Sequence, residues 1–80
     1  MKIKVLASSS SGNCYLMQSG GVNFLLDCGI KKNELIAKLA QEKLTIADLD
    51  FCLISHEHND HSALADYLSN FMNIYSCYSN

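Results

Sequence analysis

The chain contains no arginine among its 80 residues, and no apolar stretch approaches the roughly 18 residues needed to span a bilayer. Without arginine, a bidentate fork for phosphate or guanine is missing. The six basic residues are lysines scattered along the sequence, and the formal net charge is −2. That is the reverse of the clustered basic footprint of a nucleic-acid binder. The opening Met1-Lys2-Ile3-Lys4-Val5-Leu6-Ala7-Ser8 has two lysines but too short an apolar run for a signal peptide. These absences predict a cytoplasmic protein with no membrane association.

Cys14, Cys28, Cys52 and Cys77 form no C-x-x-C pair, and three of them lie in or beside apolar segments. They read as reduced thiols packed in an interior, with a disulfide framework or a cysteine-bound zinc as the alternatives. No repeat, linker or low-complexity tract divides the chain. Residues 1–80 therefore predict one small domain, able to bury only about 60% of its unfolded surface.

What is present is concentrated. All three histidines fall within His56-Glu57-His58-Asn59-Asp60-His61, an H-x-H-x-D-H string that follows the apolar run Phe51-Cys52-Leu53-Ile54. In an extended segment the side chains at i and i+2 share a side, so His56 and His58 can converge on one ion. Imidazole is the commonest protein ligand for Zn²⁺. Asp60 and His61 are adjacent and project apart unless the loop turns sharply. If it does, they can serve a second ion about 3.5–4 Å from the first, and a water shared by two such ions becomes a nucleophile near neutral pH. Glu57 and Asn59 fill the intervening positions and are assigned no chemistry. The competing reading is a solvated polar loop with three ordinary histidines.

The remaining periodicities predict an α/β layered fold. Strands are expected at Ile3–Ala7, Cys14–Gln18 and Val22–Asp27, with a polar turn at Ser8–Asn13 and a hairpin turn at Gly20-Gly21. Asn33 is the expected N-cap of a helix from about Glu34, with Leu35, Ile36, Leu39 and Ala40 inward. Thr45–Asp50 is a short connection, followed by a strand at Phe51–Ser55. Ser62 would cap a second helix with Leu64, Ala65, Leu68 and Phe71 inward, before a last strand at Ile74–Tyr78. Tyr15, Tyr67, Tyr75 and Tyr78 read as core-edge residues. The turn containing Ser10, Ser11, Gly12 and Asn13 offers N–H groups and hydroxyls for an anion. Its plainer reading is a polar turn that needs glycine for positive φ.

At the H-x-H-x-D-H string the chain resembles the metallo-β-lactamase superfamily. Ser-Ser-Ser-Ser-Gly-Asn-Cys-Tyr-Leu followed by Leu-Leu-Asp-Cys-Gly looks most like its bacterial cytosolic branch with nuclease-like members. The resemblance covers nearly the whole chain. It implies the N-terminal half of an αββα sandwich: a mixed sheet with helices on one face. It also implies up to two Zn²⁺ ions held by His56, His58, Asp60 and His61, with Asp60 catalytic. Asp27 would support the metal centre through hydrogen bonds, as carboxylates behind metal-bound imidazoles do. An aspartate that merely starts the Cys28-Gly29 turn is the alternative.

Family members complete the site with further histidines and a bridging aspartate downstream. After His61 this chain has no histidine, and Asp66 is its only carboxylate. Two readings follow. One is the N-terminal part of a zinc-dependent hydrolase, a phosphodiesterase by resemblance, completed by a C-terminal half. The other is a non-catalytic, truncated remnant that binds zinc weakly or acts only through self-association. Nucleic acid enters as a partner through the resemblance alone.

Overall fold

A computed structural model describes residues 1–9, 12–54 and 63–76 of the chain. The histidine string and the polar pair Ser10-Ser11 lie outside the described residues, as do Ser55, Ser62 and Cys77-Tyr78. Five strands, β1 (Lys2–Ser9), β2 (Gly12–Ser19), β3 (Val22–Cys28), β4 (Phe51–Ile54) and β5 (Asn73–Ser76), form one sheet in the order β1-β2-β3-β4-β5. The pairs β1–β2 and β2–β3 are antiparallel, whereas β3–β4 and β4–β5 are parallel.

Turn chemistry explains the antiparallel part. Gly20 and Gly21 sit at φ 57° and 82°, and a Cβ on either would meet only open space. Conformation rather than room calls for glycine there, because a two-residue turn with both central φ values positive matches the strand twist. The parallel pairs require crossovers, which helices α1 (Lys32–Gln41) and α2 (Ala63–Leu68) supply. Both crossovers step the same way along the sheet. Right-handed connections therefore put both helices on one face.

That face holds the core. Cys14, Leu16, Leu25 and Cys52 from the strands are fully buried against Leu35, Leu39 and Leu68 from the helices. The Lys4–Glu42 ion pair, 3.9 Å between partly exposed side chains, adds only about 0.2–1 kcal/mol, so burial holds the layers together. A short 3₁₀ turn, Ile46–Asp48, leads into β4, and the Asp48 carboxylate accepts from both the N–H and the hydroxyl of Thr45.

The helices differ from the sequence expectation at two boundaries and on one face. Helix α1 starts at Lys32 with Lys31 as its cap residue, because the Leu35 N–H already bonds the Lys31 carbonyl at 2.9 Å. Asn33 is thus inside the first turn. Of the four residues expected inward, Leu35 and Leu39 are buried while Ile36 and Ala40 are exposed, since i and i+4 suffice to meet so narrow a sheet. Helix α2 ends at Leu68, where Ser69 Oγ bonds the Asp66 carbonyl and Asn70 Nδ2 bonds that of Tyr67. These side chains occupy carbonyls that another helical turn would need. Phe71 consequently turns outward, half exposed against the Tyr67 ring, and Met72 enters the core in its place.

Candidate functional site

Sheet direction decides which loops meet. Strands β1, β3, β4 and β5 all end at one edge of the sheet, and β2 begins there. The turn joining Ser9 to Gly12, the residues after Asp27, and the chain leaving Ile54 towards the histidine string are therefore neighbours by topology. In open parallel sheets this carboxyl edge is where ligands bind. The ligand set expected from sequence, His56, His58, Asp60 and His61, lies outside the described residues, and so do Ser10 and Ser11. The described part of the edge consists of Gly12, Asn13 and the segment from Asp27 to Gly29.

Asp27 is the distinctive residue of that edge. Tyr15 pairs with Leu26 and Cys14 pairs with Cys28, so Asp27 is the extra residue of a β-bulge. Its φ is 64°, a left-handed value that few residues other than glycine adopt and that aspartate tolerates best among charged ones. The bulge lets two consecutive residues turn inward. Asp27 is 8% exposed and Cys28 4%, and Asp27 is the one buried charged residue among those described. It lies within β3 rather than opening the following turn.

The turn's glycines work by space. Gly12 lies in a strand without positive φ, so the expectation that its turn needs glycine for that reason does not hold at this position. A Cβ on Gly12 would instead run into the carbonyl of Gly29, and one on Gly29 would come within 2.8 Å of Asn13 N and Gly12 Cα. The two backbones touch, and the Gly29 N–H bonds the Asn13 carbonyl at 2.9 Å. This clasp ties the β1–β2 turn to the end of β3. The sequence offered a signal for it only as two separate glycines, each next to a turn.

Beneath the edge lie three buried cysteines outside any disulfide, Cys14, Cys28 and Cys52. No group of three histidine, cysteine or acidic side chains placed to hold a metal occurs among the described residues. Burial, helped by the Cys28 thiol and the Asp27 and Glu34 carboxylates, pushes Cys14 up to about 12. A hydrogen bond with Cys28, then burial, raises Cys52 further. Cys14 and Cys52 therefore stay protonated and inert at neutral pH.

A pH dependence follows from those shifts. An unfolded cysteine ionises near its ordinary 9.0, and folded Cys14 only near 12. Between those values the folded chain holds more protons, so its stability falls as pH rises; below 9 the contribution is complete. Urea midpoints measured at about pH 8 and about pH 10.5 should show the decline, and Cys14→Ala should lessen it while Cys52 sustains the rest. Midpoints that agree at the two pH values would contradict this account.

The mixed sheet with its two crossover helices on one face is the fold of a known superfamily. The sequence profile of the Metallo-beta-lactamase superfamily matches residues 9–74, and the chain belongs to that superfamily. It is similar to exodeoxyribonuclease WalJ of Streptococcus pneumoniae strain D39, with 38% identity over 60 residues. It is also similar to exodeoxyribonuclease YycJ of Bacillus anthracis, with 34% identity over 61 residues. Those stretches are 75% and 76% of this chain but only 22% and 23% of the relatives, so the chain spans less than a quarter of their length.

Among solved structures, the metallo-beta-lactamase family protein TTHA1429 from Thermus thermophilus superposes with TM-score 0.69 and 24% identity. It is covered over 27% of its length by 89% of this chain. The metallo-beta-lactamase fold protein YhfI from Bacillus subtilis gives TM-score 0.58 and 31% identity, with 85% and 29% covered. The superfamily binds metal ions, often zinc. No helix among the described residues is long and apolar enough to cross a membrane.

Proposed function

We propose that the chain carries the histidine-loop part of a zinc-dependent hydrolase that cleaves nucleic-acid phosphodiesters. The observation behind this reading is the placement of Asp27, buried in a left-handed bulge at the edge where β4 runs into His56-x-His58-x-Asp60-His61. The exodeoxyribonuclease relatives supply the substrate class.

The donors suit the metal. Three imidazole nitrogens and one carboxylate form a borderline set of the kind zinc takes. His56 and His58 would hold one ion, and Asp60 with His61 a second. Bound zinc supplies Lewis-acid activation of the scissile phosphodiester and of the attacking water. This chain's own residues bind and orient. Asp27 would accept from the N–H of a metal-bound imidazole and so fix its ring and tautomer. Asp60 would hold an ion and could take up a proton. With no arginine, the loop of Ser10, Ser11, Gly12 and Asn13 is the candidate anion contact of this chain.

The donor count favours a second reading for these eighty residues alone. Beyond His61 there is no histidine and only Asp66 as a carboxylate, so each of two ions would receive two protein ligands where catalytic zinc usually has three. Acting alone, the chain then binds zinc weakly and turns nothing over. One assay covers both readings. The chain is incubated with zinc and a DNA substrate, with and without a separately expressed C-terminal remainder of a full-length exonuclease relative. Turnover is expected only in the mixture, and not with Asp60→Ala. A docked mixture that still cleaves nothing would refute the hydrolase reading. Turnover by the chain alone at a full-length relative's rate would refute the requirement for a completing half.

A further inference from the structure

Two of the buried cysteines face each other across β2 and β3. Cys14 pairs with Cys28 in the register, and just beyond them the Gly29 N–H bonds the Asn13 carbonyl at 2.9 Å. A ladder bond in that position flanks the pair rather than joining it, so Cys14 and Cys28 form a non-hydrogen-bonded pair. Such pairs hold their Cα atoms about 4.5 Å apart, with the side chains close together. A disulfide needs Cα atoms about 4.4–6.8 Å apart, so these two can be bridged with little backbone movement. Both belong to the core, Cys14 fully buried and Cys28 4% exposed, and neither is in a disulfide.

We propose that Cys14 and Cys28 are a modification site, a thiol pair that a low-molecular-weight disulfide converts reversibly into a cross-strand disulfide. Register excludes the third buried cysteine as the partner. Cys52 lies opposite Leu25, three positions before Cys28 and with the bulge between them. Strand rise and spacing put its Cα at least about 8 Å from that of Cys28, beyond the roughly 7 Å that a disulfide spans. The hydrogen bond between Cys52 and Cys28 is thus a contact of thiols that do not join.

The chemistry is two exchanges. Cys28, the less buried of the pair, attacks one sulfur of the small disulfide, and a small thiol departs with the proton. Cys14 then attacks the mixed disulfide at Cys28, and its proton leaves with the second small thiol. Two thiols of the chain are oxidised, and one small disulfide is reduced to two thiols. Burial makes both steps slow, because the edge must open to admit the reagent. In the product Asp27 sits between a ladder pair, Tyr15 and Leu26, and a covalent one, so its bulge is fastened on both sides. None of this depends on the metal reading.

The lysine positions make the test direct. Trypsin releases residues 5–31 as one peptide holding Cys14 and Cys28, and residues 44–80 as another holding Cys52 and Cys77. The 80-residue chain is equilibrated in mixtures of reduced and oxidised glutathione, its remaining thiols are alkylated, and the digest is weighed. Peptide 5–31 is expected without label and about 2 Da below its sequence mass, and dithiothreitol should reverse the change. The folded chain should close at glutathione ratios at least about tenfold more reducing than the same chain in urea, because the fold favours a bridge it can accept. Cys14→Ala should stop at a glutathione adduct on Cys28, whereas Cys52→Ala should leave closure intact. A bridge joining 5–31 to 44–80 would overturn the proposal. So would a fully alkylated 5–31, or closure no easier in the folded chain than in urea.

Discussion

Replacing His56 and His58 together by alanine is expected to weaken zinc binding by at least about 100-fold, since both protein donors proposed for one ion are lost. Titration against a competing chelator reads the loss. The companion variant Asp27→Asn separates support from structure. Asparagine adopts left-handed φ as readily as aspartate does, so the bulge at φ 64° is kept in the variant, and circular dichroism verifies its fold. A neutral amide cannot stabilise a metal-bound imidazole as a carboxylate does, and zinc affinity should fall by about 10–100-fold. Zinc affinity indifferent to the histidine pair would sink the ligand assignment. Affinity indifferent to Asp27→Asn would return Asp27 to a purely architectural role.

The largest stability effect is expected at the Gly12–Gly29 clasp. A methyl at Gly12 would be driven into the Gly29 carbonyl, and the obstacle is backbone rather than the tip of a flexible side chain. Gly12→Ala should therefore cost about 3 kcal/mol, the upper end of typical overpacking. In a chain of this size total stability is only about 4–12 kcal/mol, so the loss would be severe. Gly20→Ala is the contrasting case. Open space surrounds that position, and only its φ of 57° opposes a side chain, at about 1–2 kcal/mol. Urea unfolding of the two variants ranks them. A Gly12→Ala chain within about 0.5 kcal/mol of wild type would mean the clasp opens freely, against the close packing inferred here.

Local chemistry made much of this fold legible. Phe51–Ile54 reads as a buried strand from its apolar run, and Gly20-Gly21 reads as a hairpin from turn preference alone. Leu35 and Leu39 announce a helix face by spacing. Features set by distant partners were not legible in this way. Asn33 looks like a better cap than Lys31, yet the first helical bond forms two residues earlier. Phe71 continues the helical period of Leu64 and Leu68, but Ser69 and Asn70 end the helix before it. The Asp27 bulge exists only because β2 runs alongside, and no pattern within β3 encodes an extra residue. At the candidate site the sequence singled out Asp27 through family resemblance, and the bulge supplies a physical reason for choosing it. The touching glycines, seventeen positions apart, carry no periodic signal at all.

Strand order has a consequence for how the chain is made. Each strand pairs with the one synthesised just before it, from β1 through β5, so no segment waits for a partner that has yet to be translated. The sheet can grow on the ribosome one edge at a time, each addition closing only the loop or crossover just completed. The β1–β3 meander and its glycine clasp would already stand when the histidine string emerges from the exit tunnel. The proposed ligands would thus reach an edge that is already formed.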